Sequence, residues 1–229
     1  MPKAPNLTTA PIYAIPGMGV DGRIFRALKL DRPIEILEWM DPCGERESIE
    51  AYARRIAAPL PDHPFLMMGL SFGGVICQEI ARFKPVQGVV LISSIRDERG
   101  LPWYMNLMRT LPYYQLSRGD WRIKMMPYWG PIFGLKDKAE IAFLQDLFSD
   151  FSVLYRMWAI KRLIHWQRPA ELADLPLFHI HGSRDEIFAA KLQSADILIE
   201  GGTHSMVFQR AGEVSKAIQA GIRYIESRT

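Results

Sequence analysis

Short apolar runs of strand length, each followed by a segment of helical periodicity, constrain this chain more than any other feature of its sequence. Pro11 to Ile15 is closed by Pro16-Gly17, and a second run spans Ile34 to Trp39. Ile49, Tyr52, Ala53, Ile56, Ala57 and Leu60 then fall on one helical face, behind Ser48 at the position of an N-cap. Phe65 to Leu70 precedes a helix predicted from Phe72 to about Phe83 and ended by Pro85, and Val86 to Ile92 is a fourth strand. Strand signals resume at Leu177 to Ile180 and at Ile197 to Ile199, and a last helix puts Val207, Ala211, Val214, Ile218 and Ile225 on its inner face. Uninterrupted apolar strands must be covered on both faces, which a parallel sheet flanked by helices provides. The expected fold is α/β, with a mostly parallel six-stranded sheet.

Between the fourth and fifth strands the pattern changes to aromatic-rich helical segments, such as Ile141, Leu144, Phe148 and Phe151, or Val153, Met157, Ile160 and Ile164. This divides the chain into a core, 1–96 and 169–229, and a helical cap inserted at 97–168. The cap holds 14 of the 25 aromatic residues, so an apolar lid over a pocket is the functional expectation beside ordinary packing onto the sheet. Trp103, Trp121, Trp129 and Trp158 are its candidate substrate-binding residues; Trp166 is a fifth cap tryptophan.

The bulk numbers narrow the function classes. A chain of 229 residues, 48% hydrophobic and 23% charged, buries a core without difficulty. No apolar run of about 18 residues and no leader pattern is visible, so a cytoplasmic protein without a membrane span is expected. Cys43 and Cys77 have no second ligand at metal spacing and read as free thiols. A net charge of +3, scattered along the chain, argues against nucleic acid. The one local excess is Arg109, Arg118, Arg122 and Lys124 against Asp120, a segment that could steer an anionic group such as an acidic acyl carrier, or simply be a solvated face.

Gly69-Leu70-Ser71-Phe72-Gly73 matches G-x-S-x-G, a pattern that arises by chance in roughly one chain of this length in ten. Its setting between an apolar strand and a helix sharpens it, because a strained turn there needs small residues two positions either side of the serine. A phosphate-binding turn is the bland alternative, but the turn at Ser71 carries neither Gly-x-Gly-x-x-Gly nor Gly-Lys-Ser/Thr. A serine hydroxyl is a weak nucleophile and needs a base. Of five histidines, His63 precedes the strand leading to Ser71, His165 lies in the cap, and His179 and His181 lie on or just past a strand. His204 follows the last strand in Gly201-Gly202-Thr203-His204, at the carboxyl edge of the sheet where sites assemble.

The order Ser, Asp, His with these loops resembles the α/β-hydrolase superfamily, of the small capped esterase or thioesterase type, across nearly the whole chain. The resemblance implies that Asp185, in His181-Gly182-Ser183-Arg184-Asp185, orients His204, with Asp97 as the alternative acid position and Glu186 adjacent. It assigns oxyanion donors to the backbone N–H groups of Phe72 and Met18. The chain departs from the pattern in having Pro16-Gly17 where many relatives have His-Gly, and in starting its sheet at the usual third strand. The implied activity is hydrolysis of a carboxylic ester through an acyl-enzyme, with no metal or organic cofactor. A thioesterase, a non-hydrolytic receptor or a lyase on the same fold are the alternatives.

Overall fold

The computed structural model describes residues 10–111, 126–135, 137–149 and 151–228. Six strands form one sheet: β1 (Ile12–Ile15), β2 (Ile34–Ile36), β3 (Phe65–Leu70), β4 (Val86–Ile92), β5 (Leu177–Gly182) and β6 (Ile197–Ile199). Their order is β2-β1-β3-β4-β5-β6, and every neighbouring pair is parallel. The chain goes from β1 outward to β2, then returns to place β3 on the other side of β1. The order thus reverses between β1 and β3, and a crevice opens at the carboxyl ends of those two strands.

Burial follows the two-residue period of a strand. On β3, Phe65 and Met67 join one apolar layer while Leu66, Met68 and Leu70 join the other; on β4, Val89 and Leu91 oppose Val90 and Ile92 in the same way. The first layer is closed by helices α1 (Ile49–Ile56) and α2 (Phe72–Ile80), through Tyr52, Ile56, Val75, Ile76 and Ile80. The second is closed by the C-terminal helix, through Val214, Ile218, Ile222 and Ile225. Each such side chain contributes about 1.5–3 kcal/mol when fully buried.

Three boundaries differ from the sequence expectation. The second strand stops at Ile36, and Trp39 instead turns back so that its indole N–H donates to the Gly17 carbonyl. Helix α2 ends at Ile80, followed by turns that carry Ala81 and Phe83. The last helix is broken at Arg210, whose backbone leaves the helical region (φ −128°, ψ 38°).

Between β4 and β5 lies the helical insertion. Its described helices are α3 (Trp103–Thr110), α4 (Met126–Trp129), α5 (Lys138–Ser149) and α6 (Val153–His165). Ser152 caps α6 by accepting the Tyr155 N–H. Beyond β6 come α7 (Met206–Gln209) and α8 (Ala211–Glu226). No helix among the described residues is long and apolar enough to cross a membrane.

Candidate active site

Ser71 occupies the turn from β3 into α2 with φ 53° and ψ −122°, a backbone region that residues with a Cβ rarely adopt. The turn exists because its neighbours lack side chains. A Cβ on Gly69 would sit 2.4 Å from the Gly74 Cα, and one on Gly73 would sit 2.3 Å from the Ile15 and Pro16 carbonyl oxygens. The Ser71 N–H donates to the Ile92 carbonyl at 2.9 Å, and its own carbonyl accepts from the Ser94 hydroxyl at 2.6 Å and the Gly74 N–H at 3.0 Å. These bonds hold the turn against the end of β4 and the start of α2, and Ser71 lines the cavity.

His204 and Asp185 arrive from the loops after β6 and β5. His204 Nδ1 lies 2.8 Å from Asp185 Oδ2, and His204 Nε2 lies 3.1 Å from Ser71 Oγ. A carboxylate only accepts, so Nδ1 carries the proton and Nε2 presents a lone pair to the serine hydroxyl. The other Asp185 oxygen accepts the N–H groups of Ile187 at 2.9 Å and Phe188 at 3.0 Å, so the aspartate orders its own turn as well as the histidine. Burial alone would raise the Asp185 carboxyl; the adjacent His204 outweighs it, with help from His181 and the Phe188 N–H, and the carboxyl is held below its ordinary value. Phe133 and Phe188 stand edge-on to the His204 ring, with centroids 5.7 and 5.6 Å away, and screen it from water.

Asp97 has no part in this cluster. Its carboxylate accepts from the Arg99 backbone and guanidinium, and that pairing holds it below the usual carboxylate range. His181 and His179 are fully buried: His181 Nε2 donates to the Phe188 carbonyl at 2.7 Å, and its Nδ1 lies 3.2 Å from His179 Nε2. Burial pushes both imidazoles down, His179 to about 3, so both are neutral parts of the frame behind Asp185.

Ser71 and His204 line a cavity of about 670 Å³. Gly17, Met18 and Val20 from the loop after β1 form part of its wall, and the insertion adds Met105, Met108, Phe133, Phe148, Met157 and Ile160. Among the described residues the N–H groups of Met18 and Phe72 have no hydrogen-bond acceptor. No group of three or more His, Cys, Asp or Glu among the described residues could hold a metal ion.

Two of the four tryptophans expected to bind substrate, Trp103 and Trp158, do not line the cavity. Trp103 is 76% exposed at the start of α3 and does not line the cavity. Trp158 is buried in the first apolar layer, where its N–H donates to the Glu47 carbonyl at 2.8 Å and its ring packs on Tyr52 and Phe72. Trp121 and the side chain of Trp129 lie outside the described residues. The described insertion side chains on the wall are mainly methionine, isoleucine and phenylalanine, while the Trp158 indole is bound to the Glu47 carbonyl and the Trp166 indole to the Glu79 carboxylate. The signal was present in Met157 and Ile160, which share a helical face. Of the basic segment, Arg118, Arg122 and Lys124 lie outside the described residues, and the Arg109 guanidinium is engaged by the Ile164 carbonyl.

Comparison with known proteins agrees with this architecture. A bromoperoxidase from Bacillus anthracis is similar over 94% of this chain and 92% of its own, with a TM-score of 0.75 at 14% identity. A carboxylesterase of the ammonia-oxidizing thaumarchaeon Nitrososphaera gargenis is similar over 98% and 93%, with a TM-score of 0.73 at 14% identity. A thermophilic esterase from Thermogutta terrifontis is similar over 95% and 91%, with a TM-score of 0.68 at 16% identity. At such identities the likeness is one of fold. No curated protein matches the sequence. A model of the alpha/beta hydrolase family matches residues 7–217, and with nearly the whole chain inside that match, the chain belongs to the alpha/beta hydrolase family.

Proposed function

We propose that this protein hydrolyses a carboxylic ester with a small or medium acyl group, using Ser71 as nucleophile, His204 as general base and acid, and Asp185 as the group that orients the base. The observation that carries the proposal is the continuous Ser71–His204–Asp185 contact at 3.1 and 2.8 Å on the wall of an apolar cavity. The presence of a carboxylesterase and an esterase among the structurally similar proteins supports the choice of an ester.

As Ser71 Oγ bonds to the ester carbonyl carbon, its proton passes to His204 Nε2 and the imidazolium is stabilised by Asp185. The carbonyl oxygen takes the negative charge and is received by the Met18 and Phe72 N–H groups, a term typically worth several kcal/mol in the barrier. The tetrahedral intermediate collapses, the bond to the leaving alcohol breaks, and His204 returns the proton to that alcohol. Water then repeats the sequence on the acyl-enzyme and releases the acid and free Ser71.

The insertion at 97–168 acts as the cap over the acyl group. Arg156 and Glu186 are the only Arg, Lys, Asp or Glu side chains among the described residues of the lining, so a neutral apolar substrate is favoured. The test is turnover of p-nitrophenyl esters of graded acyl length. kcat/KM should rise roughly fourfold per added methylene until the cavity is filled, from about 0.8 kcal/mol per buried methylene. A fluorophosphonate should label the wild type and leave Ser71→Ala unlabelled. Turnover by Ser71→Ala, or faster turnover of acyl thioesters than of the matching esters, would overturn the assignment.

A further inference from the structure

Trp39 does not itself line the cavity that holds Ser71, yet it contacts both segments that carry the proposed oxyanion donors. Its Nε1–H donates to the Gly17 carbonyl at 2.8 Å, and its ring stacks on Phe72 with centroids 5.7 Å apart and planes 16° apart. Gly17 O and Met18 N belong to one planar, trans peptide unit, in which C=O and N–H point in opposite directions. The Val20 N–H donates to the same Gly17 oxygen at 3.2 Å, so the carbonyl is clamped from two sides. Fixing that carbonyl fixes the direction of the Met18 N–H, and Met18 lines the cavity that holds Ser71. A donor on the carbonyl also polarises the amide and makes its N–H a stronger donor.

We infer that Trp39 is a positioning residue for the oxyanion site, setting the Gly17–Met18 peptide plane through its indole N–H and bracing Phe72 through its ring; this rests on the ester-hydrolase reading. The ring is itself held. Tyr155 packs 5.5 Å from it and Tyr52 6.3 Å, and Tyr52 in turn packs on Trp158 at 4.3 Å. The Tyr52 hydroxyl donates to the Met40 carbonyl at 2.8 Å, next to Trp39 in the chain, which anchors the backbone carrying the indole. An ordinary core tryptophan would need the ring alone; here the N–H is spent on the one carbonyl whose orientation decides where Met18 points.

The deciding experiment replaces Trp39 with 3-benzothienylalanine, which keeps the ring and its packing and removes only the N–H. Trp39→Phe is the second variant. Deleting an oxyanion donor outright costs about 10²–10³ in kcat, so loosening one should cost on the order of tenfold, with KM changed by less than about twofold. Affinity for a trifluoromethyl ketone, which adds Ser71 Oγ to its carbonyl and places an oxyanion in the same site, should fall by a similar factor. Rates are normalised to fluorophosphonate-titrated sites, so partial misfolding of Trp39→Phe does not mimic the effect. A benzothienylalanine enzyme with wild-type kcat and ketone affinity, or one in which only KM rises, overturns the role of Trp39. Activity in Ser71→Ala would instead overturn the underlying reading, and the two failures are separate.

Discussion

The backbone of Ser71 stores strain that can be measured by comparing two inactive variants. Ser71→Ala and Ser71→Gly both remove the hydroxyl and its contact with His204, so their difference isolates the Cβ at φ 53°, ψ −122°. Holding a residue with a Cβ in such a region costs about 1–3 kcal/mol, and glycine removes that cost. Glycine also loosens the unfolded chain, which takes back about 0.4–1 kcal/mol. Ser71→Gly should therefore be more stable than Ser71→Ala by about 1–2 kcal/mol. Urea unfolding followed by tryptophan fluorescence reads the difference; with a slope of about 3 kcal/mol/M, the midpoint should move up by roughly half a molar. Both variants should be without turnover. A glycine variant no more stable than the alanine variant would show that the turn is relaxed, and would remove strain as the reason that the hydroxyl is so exposed to the crevice.

Three further outcomes are expected. Asp185→Asn should lower kcat by roughly 10⁴, since an amide in place of the carboxylate stabilises the wrong imidazole tautomer, while Asp97→Asn stays near wild type; the reverse ranking in ester turnover would move the acid to Asp97. His179 is buried and neutral down to about pH 3, whereas an unfolded histidine takes up a proton near 6.5, so its contribution to stability is complete above pH 6.5 and declines as the pH falls toward 3. At about 1.4 kcal/mol per pH unit, that amounts to about 2 kcal/mol by pH 5. His179→Gln should lose correspondingly less stability between pH 7 and pH 5 in urea titrations, and identical losses would place the acid sensitivity elsewhere. Met157→Ala enlarges the cavity on its insertion side and should shift the preferred ester toward longer acyl groups in the chain-length series; an unchanged preference would mean that the acyl chain lies against the opposite wall.

Much of the frame was legible because it depends on local pattern. The six apolar runs and the helix behind Ser48 declare themselves through period and length, and the residues flanking Ser71 declare the turn through their lack of side chains. Ser71 and His204 were readable as the ends of particular strands. Asp185 needed resemblance, since spacing alone did not separate it from Asp97. The pocket wall was misread for a physical reason: tryptophan is large enough to line a cavity, but its N–H seeks an acceptor, and Trp158 found one at Glu47 in the interior. The placement of Trp39 was invisible, because the sequence extends it as a strand residue and nothing local reveals that the chain bends back to the Gly17 carbonyl.

The 133 positions between Ser71 and His204 have a consequence in time. Ribosomes add about 5–20 residues per second, so Ser71 emerges roughly 7–27 s before His204. Throughout that interval the nascent chain carries Ser71 without His204, and for most of it the edge strand β6 is still to come. Under the proposed mechanism, reactivity is thus withheld until the sheet has been extended to its β6 edge.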